Sequence, residues 1–580
     1  MRGSLAFALT ALTLLFLLEG LTVLLATVHA HTYAALYPSV RGGALLVGVL
    51  PLLALLAPAA PLTRFVDRHA AIAGAAVLTA VLRVPLSVPQ HEARLLMSAL
   101  VVAAGAVFLS TAVGYLERRS VAGGVGAAVV LAQLLRLAGW GWDITLRSWW
   151  VGPQLVVSAA VVVIAVVWLR MPMPGPADRE PSFERRAGGL RLRGAVGLAM
   201  LLFLDLNILA RAEVATRWLG VHYEIATVLL VSAGTAATLL LLAGHGPVGR
   251  HRPAALMLVA VVAAAVFGAR PLGGWPGVAL LAAGHGAAVL LIGRVLVPAG
   301  GRRKGGALAA GLVGWMLFNA MYAVSFLAPR AGTGAGSLAG WLFATSCVLL
   351  GMVVLLLPRP IETRAPLRGR LYVALTLLVA VAAAALLAIR DQPQRPVTAA
   401  ARDLRVATLN VRHGFDDELR YDPAAIADAL AAVDADVVVL FAVGMLPTAY
   451  GTDLAHYLGR TLSMHVHFAA ARNGLTGDAV LSRLPTVRSS SVQLPGGRAL
   501  ASVYLPAGAD TLLIAAAGPG RALEEREALH SVLAALPGTG QVVLLTASDV
   551  IRTRGVDVLS ATATDSTARY RVVTAALRLR

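Results

Sequence analysis

RLYVALTLLVAVAAAALLAIRDQPQRPVTAAARDLRVATLNV, residues 370–411, carries the change of architecture on which the rest of the reading turns. Leu371 to Ile389 is a mostly apolar run. At 1.5 Å per residue, such a run crosses a hydrocarbon core of about 30 Å. Asp391-Gln392-Pro393-Gln394-Arg395-Pro396 is polar and proline-bearing, the composition of a tether. Leu404–Val411 then reads as a short buried strand. A membrane-spanning chain ends here and an α/β domain begins.

Upstream, the same apolar signature recurs. The expected spans are 4–29, 42–61, 70–88, 94–116, 121–140, 149–169, 191–211, 224–244, 252–270, 275–298, 306–328, 337–357 and 370–390, about thirteen in all. Pro172, Pro174, Pro176 and Pro181 exclude a helix from the connection near 170–190, which separates six spans from the next six and leaves one over. The expected organisation is a membrane domain over 1–390, a linker over 391–400 and a sandwich domain over 401–580. The chain is 58% hydrophobic and only 14% charged, which excludes an ordinary soluble globular protein.

Cationic connections are retained on the cytoplasmic side. Arg64 and Arg68, Arg118 and Arg119, Arg179 to Arg193, Arg250 and Arg252, Arg302 to Lys304, and Arg359 to Arg370 fall in every second connection. Trp149, Trp150, Trp218, Tyr223 and Trp275 mark the others as interfacial. This alternation puts the N-terminus in the cytoplasm and the C-terminal domain outside it. Arg2, the first apolar run and Val28-His29-Ala30 also permit a cleaved signal peptide, although the run is long for one.

The net charge of +19 belongs to the membrane part, because residues 401–580 hold 17 Arg, no Lys and 17 Asp plus Glu. Anionic lipid head groups are therefore the expected partners of the basic loops, and nucleic acid is not expected. Cys347 is the one cysteine and lies within a span, so neither a disulfide framework nor a cysteine metal site can form.

Polar groups at membrane depth are costly and mark candidate sites. Glu19, Arg83, Arg136, Asp205, Asn207, Arg211, His285, Arg294, Asn319 and Tyr322 are such groups. Asp205, Asn207, Arg211 and Asn319 are the candidates for a polar pocket. The alternative for the arginines, Arg211 and Arg294 above all, is snorkelling to the head groups.

In the C-terminal domain, strands are expected at 404–411, 437–443, 478–482, 498–505, 511–517, 541–546 and 571–579, with helices at 423–432, 452–463 and 520–535. Leu404-Arg-Val-Ala-Thr-Leu-Asn410, His413-Gly414-Phe415-Asp416, Asp434-Ala-Asp436-Val-Val-Val-Leu440 and Gly477-Asp478-Ala-Val-Leu-Ser482-Arg483-Leu-Pro485 follow one another in an order that resembles the endonuclease/exonuclease/phosphatase superfamily. Asp453-Leu-Ala-His-Tyr-Leu, with Leu462-Ser-Met464, is similar to the form found in Cwh43-type multi-pass membrane proteins. The resemblance implies an α/β sandwich, Mg²⁺-dependent phosphoric-ester hydrolysis, and a setting in lipid or lipid-linked glycan handling at the cell envelope, with a lipid-linked glycan or an envelope protein as partner.

The family's reactive residues are carried over in only one place. Asn410 matches its first-motif Asn. The metal-binding Glu falls on Ala442, the Thr-His pair on Ala516-Ala517 or one residue later, the Asp and Asn of Gly-Asp-Phe-Asn on Ser548 and Val550, with a one-residue slip putting Asp549 in the Asp position, and the final Ser-Asp-His on Ala568-Arg569-Tyr570. A hard cation needs carboxylate oxygens, and an attacking water needs an oriented base. The expectation is therefore a pseudoenzyme domain without metal or cofactor, with Asn410, Asp478 and Asp549 as vestiges of a site. His413, His456, His465, His467 and His530 occupy no matching catalytic position, and Arg498 is a candidate for anion contact or a solvated surface. Two alternatives stand beside this reading. One is an active Mg²⁺ enzyme with a relocated site of Asp478, Asp549 and Asp565 near Asn410. The other is a transporter or flippase with a soluble lid, built around a polar cavity containing Asp205, Asn207 and Asn319.

Overall fold

The computed structural model describes residues 2–35, 67–87, 91–143, 146–147, 150–171, 190–243, 251–296, 306–327, 336–357, 403–416, 420–444, 451–471, 474–493, 499–507, 510–517, 541–546, 551–554, 556–567 and 570–579. It divides into two compact units, with Arg390–Arg580 in the second.

The first unit is helical. Its elements are α1 (Arg2–Ala35), α2 (Arg68–Arg83), α3 (His91–Tyr115), α4 (Arg118–Ala138), α5 (Val151–Arg170), α6 (Leu192–Leu204), α7 (Ala212–Leu219), α8 (Tyr223–Ala243), α9 (Arg252–Leu272), α10 (Gly274–Val295), α11 (Gly306–Leu327) and α12 (Gly336–Leu356). Ten helices among the described residues are long and apolar enough to cross a membrane. Helices suit that solvent because every backbone group is bonded within the segment. The expected spans 42–61 and 370–390 lie outside the described residues. Small residues bring the helices close: a Cβ on Gly124 of α4 would stand 2.6 Å from Thr10 of α1.

The span expected over 191–211 is present over Leu192–Leu209 and ends in a break. After α6, residues Asp205–Leu209 form a π turn, in which the Ala210 N–H donates to the Asp205 carbonyl at 2.8 Å. Arg211 is extended (φ −106°, ψ 107°), and the chain then restarts as α7. A single periodic apolar run gives no sign of this break, because the extra residue of a π turn leaves the composition unchanged.

The second unit is a two-sheet α/β sandwich. One sheet has the order β10-β11-β1-β2-β4-β3, with β10 over Val556–Thr567 and β11 over Tyr570–Leu579, and the other β5-β6-β7-β8-β9, with β5 over Arg488–Gln493 and β9 over Ile551–Arg554. Strands β1 (Asp403–Asn410) and β2 (Val437–Gly444) are parallel and joined through helix α13 (Pro423–Val433). Pro423 at the helix start and the Asp422 carboxylate, accepting from the Ala425 N–H at 3.1 Å, set its first turn. Helix α14 (Leu454–Leu462) starts in the same way from Asp453, which accepts from His456 N–H at 3.0 Å. Strand β4 (Thr476–Ser482) flanks β2, and β3 (His465–Ala470) is the edge. In the second sheet β6 (Ala499–Ala507) pairs antiparallel with β7 (Asp510–Ala517), and β7 runs parallel to β8 (Gln541–Thr546). The alternating residues Leu404 and Val406, Val437, Val439 and Phe441 meet Val503, Leu505, Leu512, Ile514 and Val543 between the sheets. The expected helix at 520–535 lies outside the described residues.

Candidate functional site

Both sets of candidates can be placed. In the sandwich, the C-terminal ends of β1, β2, β7 and β8 bring forward the positions where the superfamily resemblance sets its reactive groups. Asn410 closes β1 and is exposed. Its Oδ1 accepts the backbone N–H of Arg412 at 3.2 Å, so the carboxamide caps its own turn. Ala442 lies in a bulge of β2, where the register against β4 shifts between Leu440 and Val443. Its φ of +55° is left-handed, a conformation that a non-glycine residue rarely adopts. The Ala442 N–H donates to the Asp478 Oδ1 at 3.1 Å. A bulge therefore occupies the position where the resemblance sets the metal-binding acid, the side chain there is a methyl group, and the nearby buried carboxylate accepts from its backbone N–H.

Ala516 is wholly buried in β7, and Ala517 pairs with Thr546 at the end of β8. Ser548, Asp549, Val550, Ala568, Arg569, Arg498 and His530 lie outside the described residues. His413 follows Asn410 in a tight turn with φ +60°, and its ring lies against Gly444, where an added Cβ would stand 3.1 Å from Cγ. His465 and His467 lie on edge strand β3. His467 hydrogen-bonds to the Thr486 hydroxyl at 2.5 Å, and partial burial, with His465 nearby, holds its imidazole below its usual titration range. His456 contributes its backbone N–H to the cap of α14.

Of the relocated acidic site, Asp549 lies outside the described residues, and the strands that carry the other two are far apart. Asp478 is on β4 and Asp565 on β10 (Val556–Thr567), four places apart in one sheet. At about 4.8 Å per strand, roughly 19 Å separates them, beyond what two carboxylates can bridge around one cation. No group of three His, Cys, Asp or Glu able to hold a metal occurs among the described residues.

In the helical unit, polar candidates do converge on the break after α6. The His285 Nδ1–H donates to the Asp205 Oδ1 at 2.7 Å, and both side chains are buried. Asn207 donates to the Phe203 carbonyl at 2.7 Å and to the Asn319 Oδ1 at 3.0 Å. Asn319 in turn donates to Trp315 at 2.7 Å. Arg211 Nε donates to the Leu206 carbonyl at 2.5 Å and lies 3.7 Å from Glu213. Gln133 of α4 donates to the Ala210 carbonyl at 3.1 Å. Side chains thus satisfy the carbonyls that the break releases.

His285 and Gln133 extend the constellation beyond the four residues expected from sequence. His285 stood in the sequence only as one isolated polar residue. The π turn and the fit of its ring against Gly234, where an added Cβ would meet Nε2 at 2.6 Å, unite it with Asp205. Snorkelling does not describe the arginines: Arg83, Arg136, Arg211 and Arg294 are all buried within protein. Arg83 is paired with Glu19. A small cavity of about 20 Å³ is lined by leucines, among them Leu14, Leu18, Leu202 and Leu312, and contains none of the expected polar residues.

No family profile matches the chain, and no curated protein does. Among solved structures, an endonuclease/exonuclease/phosphatase from Beutenbergia cavernae is 20% identical over 31% of this chain and 72% of its own, with a TM-score of 0.26. Sphingomyelinase C from Streptomyces griseocarneus is 14% identical over 30% of this chain and 99% of its own, with a TM-score of 0.22. The E. coli fucose:proton symporter FucP is 14% identical over 62% of this chain and 99% of its own, with a TM-score of 0.37. The protein's own helices and strands define a multi-pass membrane region followed by an α/β sandwich.

Proposed function

We propose that the sandwich is a catalytically inert relative of metal-dependent phosphoric-ester hydrolases, held outside the cytoplasm as a binding or scaffolding module. The reading places the protein in lipid or lipid-linked glycan handling at the cell envelope, with anionic head groups at its cytoplasmic loops. One observation carries it. At Ala442 the backbone keeps its bulge and left-handed turn, but the side chain is a methyl group and the adjacent Asp478 is bonded to the Ala442 N–H. Phosphoryl transfer depends on metal and donor groups at fixed positions, so their loss removes most of the rate. The full chain in detergent, given bis(4-nitrophenyl) phosphate with Mg²⁺ or Mn²⁺, is expected to show no turnover. Turnover that Asn410→Ala abolishes would overturn the proposal.

A second reading is favoured by the helical unit: a transporter or flippase working through the broken span. Its support is the buried Asp205–His285 pair beside a π turn. Buried titratable pairs at membrane depth are typical of proton-linked paths. Proteoliposomes energised by a pH gradient would show uptake or lipid movement that Asp205→Asn suppresses. Equal movement in the variant would remove this reading.

A further inference from the structure

Four elements meet at the break after α6, and their polar groups can be sorted by whether they are satisfied. Gln133 Nε2 and Arg211 Nε take the released carbonyls of Ala210 and Leu206. Glu213 lies beside Arg211, and Asp205 is bonded to His285. One cation is left over. Arg136 sits one turn beyond Gln133 in α4 and is 6% exposed. Its Nε is enclosed and meets no acceptor, and no acidic side chain bridges to it among the described residues. Through the bond from Gln133 to the Ala210 carbonyl, this part of α4 lies against the residue that precedes Arg211. The Gln133 Oε1 is likewise enclosed without a donor.

A buried guanidinium carries five donors and a full charge, and leaving it uncompensated beside a second arginine is costly. Proteins retain such a group where an anion completes it. We propose that Arg136, with Arg211 behind it and the Gln133 side chain alongside, forms a binding site for one anionic group, a carboxylate or a phosphate. Arg136 lies in the last turn of α4, so the site is within a turn of the helix end, where head groups and solutes approach. The inference is argued from residues of the helical unit and stands whether or not the sandwich is inert.

Thermal unfolding of the full chain in dodecyl maltoside provides the test, with inorganic phosphate and dihexanoyl phosphatidylglycerol as probes and dihexanoyl phosphatidylcholine as the uncharged control. At least one anionic probe is expected to raise the midpoint in a saturable way, and the control is not. Arg136→Met should weaken that response by roughly ten- to a hundredfold, the size of a lost charge-assisted hydrogen bond. Without any anion, Arg136→Met should melt no lower than the wild type, because an unpaired charge has been removed. Should it fail to fold, Arg136→Lys, which keeps the charge but not the fork, is expected to retain a weakened response. A response to the lipid alone identifies a head group, and a response to phosphate identifies a soluble anion. No response to either probe, or an undiminished response in the variant, overturns the proposal.

Discussion

The two units treat their polar residues in opposite ways. In the sandwich, two of the site residues expected from the sequence are bonded to the backbone: Asn410 caps the Arg412 turn and Asp478 holds the Ala442 N–H. In the helical unit, polar atoms remain over after every bond has been made, including Asn207 Oδ1, His285 Nε2, Gln133 Oε1 and Arg136 Nε. Buried polar groups without partners are rare and point to something absent or something that changes. The sandwich also encloses polar atoms without partners, Thr452 Oγ1 and Ser502 Oγ among them, but Asn410 and Asp478 are bonded, whereas in the helical unit the unpartnered atoms fall among the expected polar residues themselves.

The largest expected effect tests how tightly the helical unit depends on its buried charges. Glu19→Leu removes the carboxylate paired with buried Arg83 and should cost about 3–5 kcal/mol, whereas Glu19→Leu with Arg83→Met should be close to neutral. Melting of the two variants in detergent measures the difference, and equal losses would show that the pair is not a unit. Next, Asp478→Ala removes the acceptor from a strained residue and should cost about 1–3 kcal/mol, read as lost hydrogen-exchange protection in β2 and β4. Unchanged protection would mean that the bulge needs no support. Asn207→Leu, in contrast, should cost only about 0.6 kcal/mol, and at most about 1.7, since side-chain bonds between membrane helices are individually weak.

The smallest effect is one of pH. His467 titrates below its ordinary value of 6.5 when folded, because its neutral form is favoured by burial and by the neighbouring His465. Below pH 6.5 the unfolded chain therefore binds more protons than the folded one. The sandwich should lose stability as pH falls through that window and level off beneath the folded value. His467→Gln should flatten this part of the profile in exchange-detected unfolding, and an unchanged slope would assign it elsewhere.

The parts of the fold that could be read in advance share a physical property. Central strands such as Leu404–Asn410 and Val437–Val443 are apolar on both faces, so composition alone reveals them. The four strands absent from the sequence reading are β3, β5 (Arg488–Gln493), β9 (Ile551–Arg554) and β10, and these are the four sheet edges. Edge strands tolerate Arg, Ser and Thr on their open side, and Arg488-Ser-Ser-Ser-Val-Gln493 has no apolar alternation to detect. The membrane spans were legible because hydrocarbon imposes both length and composition. The π turn at Asp205 was not, since backbone register has no compositional signature. Asp205, Asn207, Arg211 and Asn319 were found as costly polar residues. His285 joined them only through a contact made 80 positions away.

Manganese binding offers the most direct test of the proposal that the sandwich is inert. Electron paramagnetic resonance of Mn²⁺ titrated into the full-length protein counts free ion directly and needs no substrate. The expected result is that the free-ion signal follows the added Mn²⁺ equally in the wild type and in Asn410→Ala. A stoichiometric loss of signal in the wild type that Asn410→Ala restores would contradict the account, because it would place a working metal site at the end of β1.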